Sequence, residues 1–210
     1  MQYDFTAERA AMVERLARRG IVHPAVLRAM ATVYRHRFVP EVICEEAYGD
    51  HRIPIWFDQM LAEPYVVGIM SQLLDPEPGM TVLEIGTGTG YQTAVLCELG
   101  CQVQSVEIHA GVAARARTVL FELGYTPTLL VADGGGGVPE HAPYDRILLT
   151  AAPPRIPELL LAQLAEGGRL VGPVGDLDQV LVQLDKHAGE VTKMTHEEVA
   201  FEPMSGTAWG

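Results

Sequence analysis

The sequence predicts an α/β fold: a doubly wound, mostly parallel sheet finished by an antiparallel hairpin and preceded by a helical segment. Three observations predict it. From residue 79 onward, short apolar runs alternate with helix-spaced segments, the order that builds parallel strands with helices on both faces. The first of these runs ends in "GTGTG", residues 86–90, a glycine-rich turn leading into a helix. Near the end, "QVLVQLDKH" and "EVTKMTHEEVAFEP" flank Ala188 and Gly189, the pattern of a hairpin with a longer or bulged second strand.

In chain order, Thr6 is the expected N-cap of a first helix. Ala10, Met12, Val13 and Leu16 form its apolar face, and it ends near Gly20. "HPAVLRAMATVYRH" repeats the pattern with a proline in its first turn, and "PEVICEEAY" suggests a third, short helix. "IPIWFDQMLAEP" has no period and two prolines, so a loop is expected, and "PYVVGIMSQLL" resumes as a helix. "MTVLEIG" is the first strand, and a helix runs from Gly90 to Leu99. "QVQSVEI" is the second strand, "AGVAARARTVLFELG" a helix, "TPTLLVAD" the third strand and "YDRILLTAA" the fourth. "PRIPELLLAQLAEGG" is the last expected helix and "RLVGPVG" the fifth strand. The expected organisation is one domain over 1–210, with a helical and loop segment at 1–78 and the sheet at 79–210.

Composition bounds the function. The chain has 210 residues, 48% hydrophobic and 20% charged, and a formal net charge of −12. Such acidity argues against a nucleic-acid surface, because phosphates call for a basic one. No apolar run is long enough to span a membrane, and the N-terminal stretch carries acids and no cleavable apolar segment, so no membrane partner and no secretory signal are expected. Three cysteines, Cys44, Cys97 and Cys101, make no disulfide framework and suit the cytoplasm. They read as small buried hydrophobes, and the scattered histidines lack ligand spacing, so no metal is expected.

Ligands of open α/β sheets sit beyond the carboxyl ends of the strands. The turn at 86–90 is therefore the first place to look. A phosphate-gripping loop needs Lys and then Ser or Thr after its last glycine, and Tyr91 and Gln92 stand there. A dinucleotide turn needs Gly or Ala in its last slot, and Tyr91 occupies it. S-adenosylmethionine fits better. Its methionine end carries an ammonium and a sulfonium but no phosphate, so Glu84 beside the turn is tolerable. Glu107 closes the second strand, where an acid accepts ribose hydroxyls, and Asp133 closes the third, suited to an adenine amino group. "DGGGG" at 133–137 is either a flap near adenine or a plain flexible loop, and His109 either lies at the rim or opens the next helix.

These residues also carry a resemblance. "RHRFVPE", "AYGDHRIPI", "VLEIGTGTGYQTAVL", "SVE", "APYDRILLTAAPPRIPELLLAQLAEGGRLVGPVG" and "VAFEPM" together resemble the protein-L-isoaspartate O-methyltransferases, in order, from about residue 10 to about 205. The resemblance implies a class I methyltransferase fold and S-adenosyl-L-methionine as methyl donor, with S-adenosyl-L-homocysteine as product. It implies an acceptor carboxyl on a peptide, that of L-isoaspartyl residues in damaged proteins; a tailored peptide or a small-molecule acceptor is the expectation raised instead by the altered loop below. It places Gln59, Met60, Leu61, Glu84, Gly86, Thr87, Gly88, Tyr91, Glu107, Ile108, Asp133, Gly134 and Thr150 around the cofactor.

The departures cluster in one loop. The family pattern there is roughly P-I-G-x-G-Q-T-I-S-Q-P, against "PIWFDQMLAEP" here. Trp56 and Asp58 stand at glycines, Met60 at threonine, Glu63 at glutamine, and Ala62 at the serine taken as the active-site residue. Asp58 and Glu63, if turned inward, repel a carboxylate, and Trp56 and Phe57 suit an apolar acceptor wall. The expectation is an enzyme with a remodelled, specialised acceptor site, in which Asp58 is the one nearby base for a hydroxyl or amine. Ordinary isoaspartyl repair and a cofactor-binding protein without methyltransferase activity are the alternatives.

Overall fold

The structure is a computed structural model that describes residues 4–206. The extreme ends of the expected 1–210 domain, and the first residues of the stretch read as free of a leader, lie outside the described residues. Helices α1 (Thr6–Arg18) and α2 (Pro24–Thr32) come first, then two short 3-10 turns at Arg35–Phe38 and Glu41–Glu46. A small ribbon follows, β1 (Ile53–Pro54) and β2 (Met60–Leu61), and then α3 (Pro64–Leu74). The alternating part runs β3 (Thr81–Ile85), α4 (Tyr91–Glu98), β4 (Gln102–Glu107), α5 (Ala110–Glu122), β5 (Thr128–Val131), β6 (Tyr144–Leu149), α6 (Glu158–Gln163) and β7 (Leu164–Val174). β8 (Gln179–His187) and β9 (Glu190–Val199) close the chain.

Among the described residues the main sheet has seven strands in the order β5-β4-β3-β6-β7-β8-β9. β3 to β7 pair in parallel, and β8 and β9 add on antiparallel. The chain winds outward from β3 in both directions, so the switch point lies at its carboxyl end. β3 is buried along Val82–Ile85 because helices cover both faces. Tyr91 to Leu96 in α4 are all buried, because the N-terminal helices cover the side turned away from the sheet. One apolar cluster accordingly joins Met12, Leu16, Val26 and Met30 to Tyr91, Val95 and Leu120.

Four local expectations are corrected. Thr6 is the first helical residue and Phe5 the N-cap position, while Asp4 Oδ1 accepts from Thr6 N at 3.0 Å and Thr6 Oγ1 at 2.6 Å. The expected loop over 53–64 contains the β1–β2 ribbon, whose two-residue strands are too short to leave a period in the sequence. The helix expected over 154–168 shrinks to Glu158–Gln163, because the chain from Leu164 already pairs with β6, with a register shift between Tyr144 and Arg146. Residues 134–136 are a 3-10 turn with Gly134 and Gly135 buried, neither a flap nor a free loop. The C-terminal hairpin is present, turning at Ala188 and Gly189 (φ 52° and 78°) with a register shift between Val180 and Val182. No helix among the described residues is long and apolar enough to cross a membrane.

Candidate active site

The glycine turn is fixed from three sides. Gly86 N and Thr87 N donate to Val106 O at 2.8 and 3.3 Å, tying the turn to β4. Thr150 Oγ1, at the end of β6, donates to Gly86 O and Ile85 O. Gly86 has φ +101°, and a Cβ there would collide with Thr150 Oγ1, so glycine is required on both counts. Glu107 holds the outer part. Its Oε2 accepts from Gly88 N at 2.9 Å and its Oε1 from His109 N at 3.0 Å, although the residue is 4% exposed. His109 is the N-cap residue of α5 and also lines the site, so both of its expected roles coincide.

Beyond the tips of β3 and β4 lies a cavity of about 390 Å³. That volume falls within the range of small-molecule sites. Gly86, Thr87, Gly88, Glu107, Ile108, Gly134 and Thr150 line one side, and Phe57, Asp58, Gln59, Met60, Leu61 and Ala62 line the other. Thirteen of the expected residues thus meet at one place.

Five do not line it. Glu84 points into the protein. Its Oε2 accepts from Thr93 Oγ1 at 2.5 Å and Ser105 Oγ at 2.6 Å, its Oε1 is buried without a partner, and burial pushes its pKa up to about 7. A chain of hydroxyls from Ser105 to Thr87 Oγ1 (2.6 Å) links it to the turn. Tyr91 is fully buried under the N-terminal helices, edge-on to Phe38 at 5.6 Å, with Arg35 Cζ 4.6 Å from its ring centre. The tyrosine is accommodated because it turns away from both sheet and cavity. Asp133 caps the 3-10 turn, accepting from Gly135 N at 2.9 Å. Trp56 stacks under Arg115, whose Cζ lies 3.4 Å from the ring centre, and borders only a minor hollow. Glu63 reaches out to Arg19 at 3.6 Å.

The loop that forms the mouth is anchored at several points. Phe57 and Asp58 both have positive φ, 62° and 56°, at the tip of the ribbon. The Phe57 ring lies over Gly111, where a Cβ would come within 2.8 Å of it. The buried Arg35 donates to Ala47 O at 2.7 Å and to Ala62 O at 2.6 Å, fixing the backbone of residue 62.

Sequence reasoning missed the third wall. Residues 200–205, including Phe201, Glu202 and Met204, line the cavity together with Arg52, Thr89 and Gln92. The segment is held by Ala152, which donates to Glu202 O at 2.9 Å and accepts from Met204 N at 2.8 Å. Arg52 Nη2 meets Glu202 Oε1 at 2.9 Å. "VAFEPM" was visible as part of a resemblance, but nothing in it signals that it faces a site.

The family model "Protein-L-isoaspartate(D-aspartate) O-methyltransferase (PCMT)" matches residues 7–208. A protein-L-isoaspartate O-methyltransferase from Methanospirillum hungatei JF-1 is 46% identical over 202 residues, covering 95% of this chain and 94% of that one. Protein-L-isoaspartate O-methyltransferase 1 from Syntrophobacter fumaroxidans is 49% identical over 210 residues, covering 99% and 98%. Other relatives, 41% and 50% identical, carry the same name, and they give no support to the expected divergence from it. A solved protein-L-isoaspartate O-methyltransferase superposes with a TM-score of 0.85 at 27% identity, over 94% of this chain and 66% of that one, just under two thirds of its length. A Plasmodium falciparum chain assigned to the same enzyme class, solved with S-adenosyl-L-homocysteine, shares the fold with a TM-score of 0.80 at 22% identity, over 94% and 98%.

Proposed function

The chain belongs to the protein-L-isoaspartate O-methyltransferase family, and on that premise we propose that it methylates a free carboxylate of a peptide or protein, the L-isoaspartyl carboxyl first among them. It is an S-adenosylmethionine-dependent methyltransferase, as the family is. The observation that supports the carboxylate reading is the two-sided cavity: a turn of bare backbone with Glu107 on one side, and on the other a mouth where Arg52 stands as the one lining lysine or arginine among the described residues, beside Asp58 and Glu202.

The residues present fit the donor. Glu107 keeps lone pairs beyond its two backbone bonds for the ribose hydroxyls, and Gly88 has open space above its α-carbon where a side chain would intrude. Ile108 and Gly134 would flank the base. Gln59, Met60, Leu61, Gly86, Thr87 and Thr150 would enclose the methionine end. S-adenosylmethionine supplies a methyl group on a positively charged sulfur.

The chain's own contribution is then positional. A carboxylate has a reference pKa of about 4 and arrives ionised, so no base is required. What remains is to hold it in line with the methyl carbon and to exclude water. Ala62 brings no hydroxyl to this task, which removes a donor worth about 1.5–3 kcal/mol, or roughly ten- to a hundred-fold in rate. Backbone held by Arg35 at Ala62 retains the loop's shape. Asp58 lines the mouth and is exposed, and in carboxyl transfer it is an electrostatic obstacle, with a basic role only for a hydroxyl or amine acceptor. The three free cysteines fit a reducing, cytoplasmic setting.

The test is incubation with methyl-labelled donor and either an isoaspartyl peptide or its aspartyl counterpart, followed by mild alkali. Label released as methanol from the isoaspartyl peptide alone is the expected result. Label that resists alkali, on any acceptor, would rule out carboxyl transfer. Ala62→Ser is included: a gain of no more than a few-fold marks an enzyme already adapted to isoaspartyl repair.

A further inference from the structure

Arg52 is the only lysine or arginine that lines the cavity among the described residues. It stands directly before β1. The ribbon pairs Ile53 with Leu61 and Pro54 with Met60, and one step further back the same register sets Arg52 across from Ala62. Residues opposite one another in an antiparallel ribbon point to the same face. The guanidinium therefore rises from the face on which Ala62 offers only a methyl group.

The surroundings are negative. Asp58, Glu107 and Glu202 all line the same cavity, and the whole chain carries a net charge of −12. Of the Lys, Arg, Asp and Glu side chains that line this mouth, Arg52 alone attracts an entering carboxylate, against three carboxylates that repel it. Arg52 is already used in part: Nη2 meets Glu202 Oε1 at 2.9 Å, with the two side chains 34% and 46% exposed. A pair so accessible to water is weak and is exchanged at little cost. The Nε of Arg52 is buried and has no hydrogen-bond partner. A guanidinium offers a planar fork of donors that accepts a carboxylate through two of them at once.

We propose that Arg52 is the acceptor-binding residue, taking the substrate carboxylate in exchange for Glu202. Glu202 serves as the resident counter-ion that the substrate displaces. The proposal rests on the reading of the acceptor as a carboxylate. It makes the mouth selective for charge: an amide of the same shape has one acceptor oxygen and no charge, so it forgoes the bidentate ion pair with the guanidinium.

The experiment uses the full chain saturated with S-adenosyl-L-homocysteine. Binding of a blocked, dye-labelled isoaspartyl peptide and of the matching isoasparaginyl peptide is followed by fluorescence anisotropy, alongside steady-state methylation. Variants are Arg52→Ala, Arg52→Lys and Glu202→Gln. Arg52→Ala is expected to weaken carboxylate binding and raise KM by about ten-fold or more, while kcat stays within a few-fold. It should bring the preference for carboxylate over carboxamide close to one. Arg52→Lys recovers part of both. Glu202→Gln moves the other way, lowering KM, because it removes a competitor and a repelling charge.

If the ion pair were only a strap, Arg52→Ala and Glu202→Gln would both raise KM, and that outcome overturns the proposal. A carboxylate preference that survives Arg52→Ala, or one absent from the wild type, overturns it as well. Failure of the functional reading looks different. The wild type would then yield no alkali-labile methyl group, while the ratio of peptide affinities still decides the role of Arg52. Affinity for S-adenosyl-L-homocysteine should be the same in all four proteins, which separates a damaged fold from a changed mouth.

Discussion

Glu84→Gln should make the stability of this protein less sensitive to pH. Glu84 is fully buried, accepts hydrogen bonds from Thr93 and Ser105, and has one oxygen with no partner. Burial is the largest influence and raises its pKa from 4.5 to about 7; the two hydroxyls pull it down, and the nearby Glu107 raises it further. Between about pH 4.5 and 7 the folded chain thus keeps a proton that the unfolded chain has released. Stability falls as pH rises through this window and levels off above it. The gap from 4.5 to about 7, at about 1.36 kcal/mol per pH unit, makes roughly 3 kcal/mol. Glutamine has nearly the same shape, stays neutral, and keeps the hydroxyls within bonding distance. Urea unfolding at pH 5, 6, 7 and 8, followed by circular dichroism, gives the difference between variant and wild type, in which every other titrating group cancels. That difference should grow in favour of the variant from pH 5 to 7 and then hold steady. A difference that stays flat from pH 5 to 8 would mean that Glu84 is ionised throughout and that burial does not raise its pKa.

Four other substitutions probe the site, one of them a control. Glu107→Ala removes the acceptor for Gly88 N and His109 N together with the proposed ribose contact, and should weaken S-adenosyl-L-homocysteine binding by about 100-fold or more in calorimetric titration. Gly86→Ala forces a side chain onto φ +101° and into Thr150 Oγ1, and should lower both the thermal midpoint and cofactor affinity, whereas Thr89→Ala, at the cavity edge, should lower neither by as much. Arg35→Met leaves Ala47 O and Ala62 O without their donor and should cost about 2–5 kcal/mol in urea unfolding, raising KM for the acceptor more than Kd for S-adenosyl-L-homocysteine.

The cofactor side was legible because its residues are close in sequence. A strand, a turn and a helix are consecutive, and the strand end two residues after Ser105 brings Glu107 onto Gly88. What failed there was direction. Glu84 is next to the turn, but alternation along β3 sends its side chain toward Thr93 and leaves Ile85 to line the cavity. A strand covered on both faces gives no polar pattern by which to tell the two sides apart. Tyr91 was counted as a turn residue, yet its orientation is set by Phe38 and Arg35, more than fifty residues away, and no local motif contains that information.

The acceptor side was harder to read because it is assembled from three distant stretches: Arg52 to Ala62, the strand tips, and residues 200–205 held by Ala152. Within the ribbon, Trp56 and Phe57 were both expected as the wall, but the left-handed conformations at 57 and 58 turn the tip over, so that Trp56 packs outward on Arg115 while Phe57 and Asp58 line the cavity. Such conformations are tolerable for aspartate and costly for phenylalanine, about 1–2 kcal/mol. Contacts outside the ribbon oppose this cost: the Trp56–Arg115 stack, worth about 0.5–1 kcal/mol where exposed, and the Phe57 ring on Gly111; within it, Ile55 N donates to Gln59 O at 2.9 Å. The tip is therefore held by its contacts with α5, whose N-cap residue His109 lines the cavity, together with the Ile55 N to Gln59 O hydrogen bond across the ribbon. That coupling lets a non-glycine side chain stand at 58, in left-handed backbone, while the ribbon still closes over the strand tips.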